Sequence, residues 1–349
     1  MRRKRAAVRP RNYRFPWLQR GPRGLWLLLG LPMVLALAGC EGQRPAPIRL
    51  GLSSFPAYEL AYLAAEKGFF AQSGLNVEIV EFQSLSDSDR ALGLGQIDAA
   101  AMPMVNIAVK TARREVRPRP IWVLDYSAGA DMLVAQPDIA DLHALRGKRV
   151  GVEADSLGFH VLHLATEHAG LATSDLEVVT FVDQPAGLAA FERKEIEAMV
   201  TYFPMVERLK KEHGARQISD TSQGPKEILD VIAVSESLME TQPASVAALR
   251  LGMIMALRFL AENPEEALKI MAARERVSVA DFAEALQRGL HLVSEEEQAA
   301  FFSPDGGLLS ALRHNAEVLQ QLGIIDSTAE VEALAADIAA QSHPEARAQ

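Results

Sequence analysis

Short apolar runs alternate with helical stretches along much of the chain, and this alternation limits the possible folds most. Strands are predicted at 48–52, 77–82 and 97–102, with helices at 58–70 and 87–94 between them. Strands that alternate with helices in this way are typical of a sheet whose neighbouring strands run parallel. The sequence therefore predicts an α/β fold in which helices cover a parallel sheet.

A second series of the same kind follows the first. Residues 95–99 (GQIDA) are echoed by residues 194–198 (KEIEA), which suggests two similar lobes. Residues 229–235 are predicted to form a strand that returns to the first lobe, and everything after Pro243 is predicted to be helical. The further predicted strands are 120–126, 132–135, 149–152, 177–181, 198–201 and 216–219.

The first 40 residues have the layout of an export signal. Nine basic residues and no acidic residue precede Gly24, an apolar stretch of 16 residues follows to Gly39, and the next residue is the only cysteine, Cys40. A basic, an apolar and a small-residue segment in this order are those of a secretory signal. Residues 37–40 (LAGC) resemble a bacterial lipobox, which implies cleavage after residue 39, acylation of Cys40 and a lipidated tether over 40–47.

Two other interpretations of this segment stay open. One is an uncleaved transmembrane anchor, although 16 residues fall short of the roughly 20 that a bilayer core requires. The stretch also contains Pro32. The other is a lone buried cysteine, which leaves the preceding Ala-Gly pair unexplained.

The charge balance excludes some classes of partner. Loss of the nine basic signal residues would leave 27 Lys and Arg against 45 Asp and Glu, a net charge of −18. Such a surface repels phosphate backbones, so nucleic-acid binding is not expected. Without a second cysteine, no disulfide is expected either.

Five short segments resemble, in order, the motifs of periplasmic solute-binding proteins of the taurine, alkanesulfonate and nitrate type. That superfamily also includes binders of thiamine-precursor pyrimidines. The resemblance covers about residues 48–290. The segments are 62–70 (YLAAEKGFF), 74–78 (GLNVE), 95–100 (GQIDAA), 145–152 (LRGKRVGV) and 263–267 (NPEEA).

The resemblance implies a two-lobed periplasmic-binding-protein clamshell of the type II-like form, with a helical C-terminal part. Lobe 1 would comprise 48–131 and 232–341, lobe 2 would comprise 132–231, and 342–349 would be a tail. The implied function is a membrane-anchored, monomeric receptor on the periplasmic side of a bacterial membrane. It would deliver a small organic solute to an ABC permease and its ATPase by lobe closure, without catalysis, cofactor or metal.

Ligands of open α/β sheets bind beyond the carboxyl ends of the strands, so the loops at those ends supply candidate contacts. Ser53, Phe55 and Tyr58 follow the first predicted strand, and Met102 ends the third. The alternatives are helix capping by Ser53 and core packing by Phe55 and Met102.

In lobe 2, Asp155, Ser156 and His160 connect a predicted strand to a helix, where free N–H groups make an anion site. This segment resembles the small-hydroxyl segment followed by His in the family. Asp155 departs from that pattern, since a small residue is usual there. Its carboxylate disfavours an anionic ligand, or it caps the helix and accepts from a donor on a neutral or cationic ligand. His160 is alternatively a packed helix residue.

Three more candidates lie near the predicted crossing between lobes and at its opposite rim. Tyr126 and Ser127 precede Gly129, which suits a hinge, and Tyr202 follows a short strand of lobe 2. Tyr202 is a candidate for stacking on a flat ligand, with simple packing as the alternative. Lys and Arg are scarce at all these loops, which favours a neutral, amphipathic or aromatic solute, although backbone N–H groups alone also bind oxyanions.

Three rival functions are weighed against the receptor. An enzyme is one, because the thiamine-pyrimidine branch of the superfamily includes synthases. A metal-binding lipoprotein is another, based on His160, His163, Glu167 and His168, but these positions do not share one helical face. The third is a ligand-sensing lipoprotein that acts on a membrane partner.

Overall fold

A computed structural model describes residues 46–154, 157–223, 226 and 228–342. In these ranges the chain forms eleven strands and fourteen α-helices. The strands are β1 (Ile48–Leu52), β2 (Val77–Glu81), β3 (Ala99–Pro103), β4 (Arg119–Ser127), β5 (Met132–Ala135), β6 (Arg149–Glu153), β7 (Glu177–Phe181), β8 (Ala198–Thr201), β9 (Arg216–Asp220), β10 (Leu229–Val234) and β11 (Leu290–Leu292). The helices are α1 (Glu59–Glu66), α2 (Phe69–Gln72), α3 (Leu85–Gly93), α4 (Met104–Ala112), α5 (Gly158–His168), α6 (Gln184–Glu192), α7 (Met205–His213), α8 (Glu236–Thr241), α9 (Pro243–Glu262), α10 (Pro264–Glu275), α11 (Val279–Gly289), α12 (Glu295–Phe301), α13 (Gly307–Gln321) and α14 (Ala329–Ser342).

The strands form two sheets. The six-stranded sheet has the order β11-β4-β10-β3-β1-β2, and the five-stranded sheet has the order β7-β6-β8-β5-β9. We call the half built on the first sheet lobe 1 and the half built on the second sheet lobe 2. The chain crosses from lobe 1 to lobe 2 between β4 and β5 and returns between β9 and β10. Which residues move together as rigid bodies stays a prediction.

Both sheets are mixed, which corrects the prediction of purely parallel pairing. β1 runs parallel to β2 and β3, and β6 runs parallel to β7 and β8. β10 is antiparallel to both β3 and β4, and β5 is antiparallel to β8 and β9. The reason is the crossing itself, because a strand that returns from the other lobe enters its sheet in the opposite direction.

The region after Pro243 is not wholly helical, contrary to the prediction. Residues Leu290–Leu292 form β11, which pairs antiparallel with the edge strand β4. Leu290 is buried while His291 is exposed, so this short run has the two-residue period of a strand.

Helix α9 passes the length and composition test for a membrane span, with a mean hydropathy of 1.6. It packs against α1, α2 and α10 in lobe 1. A Cβ at Gly252 would lie 2.2 Å from the ring of Phe70, so this glycine lets the two helices approach closely. The helix thus packs on lobe 1 along one face, with 28% of its apolar window buried.

The echo seen in the sequence corresponds to the same side-chain arrangement in both lobes. Arg49 on β1 donates to Asp98 and, at 2.9 Å, to the carbonyl of Gly95. Arg149 on β6 donates in the same way to Glu197 and, at 2.9 Å, to the carbonyl of Lys194. In each lobe the pair fixes the turn that leads into the central strand.

Candidate functional site

A small cavity lies where the strand ends of the two sheets face each other. Its volume of about 10 Å³ admits about one water molecule, so the two lobes are closed on each other. Its position agrees with the rule that ligands bind beyond the carboxyl ends of strands. Lobe 1 contributes Ser53, Ser54, Phe55, Tyr58, Leu85, Pro103 and Asp230, and the other side contributes Asp131, Leu157 and Tyr202.

Three aromatic rings form one wall of this cavity. The ring centroid of Phe55 lies 5.1 Å from that of Tyr58 and 5.8 Å from that of Tyr202. Phe55 and Tyr58 follow β1 in lobe 1, whereas Tyr202 follows β8 in lobe 2. The edge-to-face contact between Phe55 and Tyr202 therefore bridges the lobes, and such contacts favour aromatic or apolar bodies between them.

A chain of buried carboxyl groups forms another wall. The Tyr58 hydroxyl donates to Asp230 at 2.7 Å, and Asp125 lies on the far side of Asp230. Burial, together with the neighbouring Asp230, raises the pKa of Asp125 well above its usual range. Asp125 therefore keeps its proton beside Asp230, its cross-strand neighbour.

The two carboxyl groups that line the cavity titrate close to neutral pH. Burial raises the pKa of Asp230 to about 6, and the hydroxyl of Tyr58 opposes that shift. Burial and the charge of Asp230 raise the pKa of Asp131 to about 7, while Ser127 opposes the shift. At pH 8 both groups carry negative charge inside a water-poor space.

Direct contacts across the cleft hold the closed arrangement. Ser86 at the start of α3 donates to the carbonyl of Ala154 at 2.7 Å. The backbone N–H of Leu85 faces the carboxyl group of Glu153, whose pKa burial raises to about 7. Gln184 also donates to Glu153, at 3.2 Å. The end of β6 in lobe 2 is thus fastened to the first turn of α3 in lobe 1.

The two crossings between lobes touch each other. The hydroxyls of Ser127 and Thr221 lie 2.6 Å apart, and Thr221 also accepts from the N–H of Gly129 at 2.9 Å. Gly129 has a φ of 124°, which L side chains rarely adopt. Both crossings therefore meet at one point, with a glycine where the backbone conformation demands it.

Four of the residues predicted from the sequence come together at the cavity. These are Ser53, Phe55, Tyr58 and Tyr202. Ser53 is buried, and its hydroxyl has no hydrogen-bond partner in the described ranges. Their contact with a ligand stays a prediction that this shared position supports.

Four other predicted residues do not line the cavity. Met102 is fully buried in the core between β3 and its neighbours, and Tyr126 stacks on His291 with centroids 4.6 Å apart. Ser127 belongs to the crossing between lobes, where its hydroxyl counteracts the rise in the pKa of Asp131. His160 is 1% exposed on α5, and burial lowers its pKa to about 4, so the ring is neutral.

Asp155, Ser156 and Cys40 lie outside the described residues, so their predicted roles stay predictions. The cavity residues that sequence reasoning missed are Ser54, Leu85, Pro103, Leu157 and the two carboxyl groups of Asp131 and Asp230. Asp230 had a usable signal, because it is the only charged residue in the otherwise apolar strand LDVIAV, every residue of which is buried. A carboxyl group at such a position requires a partner.

Larger grooves exist elsewhere on the surface. One of about 630 Å³ runs along α5 and β9, and one of about 290 Å³ lies beside Gly129 and α11. The first is lined almost entirely by lobe 2 and lies away from the facing strand ends. We assign the site to the small cavity because it combines residues of both sheets with buried, titratable side chains.

The model of the family described as "NMT1/THI5 like" matches residues 56–267. The chain belongs to this family. A Brucella abortus (strain 2308) protein named "putative binding protein" is 24% identical over 255 residues, which are 72% of this chain and 78% of the relative. A Brucella melitensis protein of the same description matches to the same extent.

Solved structures show the same fold at low identity. The alkanesulfonate-binding protein SsuA from Xanthomonas axonopodis pv. citri, bound to MOPS, has a TM-score of 0.68 at 16% identity, covering 83% of this chain and 98% of that one. The nitrate-binding protein NrtA from Synechocystis PCC 6803 has a TM-score of 0.68 at 15% identity, covering 85% and 89%. The desulfurization enzyme DSZB has a TM-score of 0.59 at 17% identity, covering 86% and 99%. The fold is therefore that of the periplasmic solute-binding proteins of ABC importers.

Proposed function

We propose that this protein is a membrane-anchored receptor that binds a small organic solute between its lobes and presents the closed form to an ABC permease and its ATPase. One observation carries the proposal, namely that the small cavity lies between the lobes and is lined by buried aromatic and titratable side chains from both sides. A solute held there contacts both lobes at once and stabilises closure. The family membership and the binding-protein fold support the same function.

The proposed motion is a hinge between open and closed lobes. A cavity of about 10 Å³ does not admit an organic solute unless the lobes separate. The paired crossings at Ser127 and Thr221 are the proposed hinge, with Gly129 absorbing the change in backbone angles. The contacts from Ser86 and Leu85 to the end of β6 would break on opening.

Binding is tested with the protein expressed from its full sequence and purified in detergent. A thermal-shift panel covers sulfonates, nitrate, carboxylates, amines, pyrimidines and other vitamin precursors. A ligand at 100 times its Kd adds about 2.7 kcal/mol to the free energy of unfolding, which raises the melting temperature by several degrees. A cooperative melt that no compound shifts would contradict the receptor function.

The proposed anchor is the acylated Cys40, after removal of residues 1–39 on export. We expect Cys40→Ala to give unlipidated protein that stays in the aqueous phase of a detergent partition. The native sequence should enter the detergent phase. Equal partitioning of the two proteins would contradict the lipid anchor.

The proposal includes no chemical conversion of the solute. The enzyme DSZB shares the fold, so fold alone does not decide this point. The test is to bind a hit from the panel, incubate for hours, denature the protein and weigh the released molecule by mass spectrometry. Unchanged mass and stoichiometric recovery are expected, and a product of different mass would identify an enzyme instead.

A further inference from the structure

The cavity between the lobes has an unusual charge balance. Two carboxyl groups, Asp131 and Asp230, belong to its lining, and a third, Asp125, lies directly behind Asp230. The lining residues include no Lys and no Arg. Each of these three aspartates is 2% exposed or less. The site is therefore acidic and buried, and the described residues that line it supply no cation.

Buried carboxylates are costly unless a positive group pairs with them. A proton on Asp125 and the hydroxyl of Tyr58 stabilise Asp230 from the lobe 1 side. Asp131 has the hydroxyl of Ser127 on one side, but its Oδ2 atom has no hydrogen-bond partner in the described ranges. The negative charge of this pair is best balanced by a group that enters the cavity.

Two further observations point to the same kind of group. The hydroxyl of Ser53 lines the cavity at 2% exposure and has no partner in the part of the chain that the structure describes. Two carboxylates and a hydroxyl give acceptors for the three N–H donors of an ammonium group. The rings of Phe55, Tyr58 and Tyr202 lie around the same space, and aromatic faces attract cations.

We infer that the solute of this receptor is an organic cation, with a protonated amine or amidinium group held by Asp131 and Asp230 and an apolar body against the aromatic wall. The inference rests on the proposed receptor function. It also separates this chain from the ligands named for its structural neighbours, which are a sulfonate and nitrate.

A bare metal ion fits this site less well than an organic cation. No group of three or more His, Cys, Asp or Glu side chains in the described ranges is arranged to hold a metal. Calcium takes six to eight oxygen ligands, and magnesium demands a near-octahedral set. The three aromatic rings in the wall take up positions where either ion would require oxygen ligands.

The test uses compounds matched in shape but different in charge. Benzylamine and benzamidine are the cations, benzyl alcohol is the neutral control, and benzoate and benzenesulfonate are the anions. Calcium and magnesium chloride are tested alone. Melting temperature and Kd are measured at pH 8 on the protein expressed from its full sequence and purified in detergent.

Variants locate the binding. We expect Asp131→Asn and Asp230→Asn each to weaken cation binding at least tenfold, while Asp305→Asn, which removes an exposed carboxylate, changes it less than twofold. If Asp230→Asn does not fold, Asp131→Asn alone tests the inference, because that substitution leaves the hydrogen bond from Tyr58 to Asp230 in place.

The outcomes separate the two proposals. Binding of the cations but not of the anions, with loss in both variants, supports the inference. Binding of an anion, of the alcohol or of a metal without the amines overturns it and leaves the receptor function standing. Cation binding that both Asp variants retain also overturns it, and no binding by any class removes the receptor function as well.

Discussion

Two clusters of buried carboxyl groups lie in this molecule, and only one of them has its own cation. Between α1 and α10, the guanidinium of Arg274 forms ion pairs with both Glu59 and Glu275. The side chain of Arg274 is only 10% exposed. In the cavity, Asp131 and Asp230 have no Lys or Arg among the lining residues. The first cluster joins two helices of one lobe, whereas the second lies between two lobes.

The two clusters therefore have different roles. Arg274 also lies over the ring of Tyr62, with its guanidinium 5.4 Å from the ring centroid, and Glu275 accepts from Ser54. Arg274 and Ser54 thus hold these carboxyl groups from within lobe 1, while burial and the charge of Glu275 raise the pKa of Glu59 to about 10. In the cavity the balancing charge is left to protons or to a solute, as expected of a binding site.

The largest effect is expected from removing the cation that the first cluster has. Arg274→Met should lower the free energy of unfolding by roughly 3–5 kcal/mol, because it leaves two buried carboxyl groups without their partner. Urea denaturation measures the change. Arg313→Met, which breaks a surface pair with Glu332, is the control and should cost less than about 1 kcal/mol. An equal loss in the free energy of unfolding in both variants would show that Arg274 does not stabilise the buried carboxyl groups.

The cavity cluster should give the ligand-free protein an unusual pH dependence. Because the folded state raises the pKa values of Asp131 and Asp230 to about 7 and 6, it binds more protons than the unfolded chain between about pH 4 and 7. These two groups alone therefore make stability rise as pH falls from 8 to 5, by roughly 2–4 kcal/mol. Glu59 and Glu153, whose pKa values burial raises to about 10 and 7, act in the same direction, and His160, whose pKa burial lowers to about 4, acts in the opposite one. The groups that face these carboxyls are Asp125, Tyr58, Ser127 and Tyr202.

The measurement is a series of urea melts at constant ionic strength from pH 5 to pH 8. The carboxylates with lowered pKa values, such as Asp98 and Glu197, lose their contribution only below the usual carboxylate range, outside this window. The contribution of the cavity is the part of the slope that Asp131→Asn removes, and an equal slope in the native sequence and in that variant would contradict the charge balance described for the cavity.

Removal of one cavity charge should stabilise the protein while it weakens cation binding at least tenfold. Asp131→Asn is expected to raise the free energy of unfolding by roughly 1–3 kcal/mol at pH 8, since the cost of burying a charged Asp131 disappears. At pH 5, where Asp131 already holds a proton, the same variant should be neutral. Destabilisation at pH 8 would show that Asp131 is a structural residue like Glu59.

The smallest effect is expected at the contact that fastens the lobes. Ser86→Ala removes the hydrogen bond to the carbonyl of Ala154 and should weaken ligand binding about threefold to tenfold, as one lost hydrogen bond predicts. Ser303→Ala is the matched control, because that hydroxyl donates to a carbonyl within its own lobe. Stability of the open form should be the same in both variants.

Much of the fold could be predicted because its signals are local. The apolar run at β1 and the returning strand β10 were visible, and the GQIDA and KEIEA segments mark equivalent turns held by Arg49 and Arg149. Strand direction was not visible, since it depends on which way the chain crosses between lobes. β11 is three residues long, too short for its period to stand out among helices.

The site was only partly predictable for a related reason. The loop after β1 follows from the general position of ligands in α/β folds, which gave Ser53, Phe55 and Tyr58. Asp131 and Asp230 are far apart in sequence and meet only because β10 inserts between β3 and β4. Met102 was misplaced toward the cavity because β3 is buried on both faces, so its sequence does not tell which face meets the ligand.

The most direct test of the central claim is the Kd of benzylamine, measured by calorimetry from pH 5 to pH 8 on the native sequence and on Asp131→Asn. An alkylamine stays protonated across this range, as lysine does, so any pH dependence belongs to the protein. We expect affinity to rise with pH as Asp230 and Asp131 ionise, by at least tenfold in total, and the variant to lose both affinity and most of the slope. Affinity that is independent of pH, or that is the same in both proteins, would contradict an organic-cation site between the lobes.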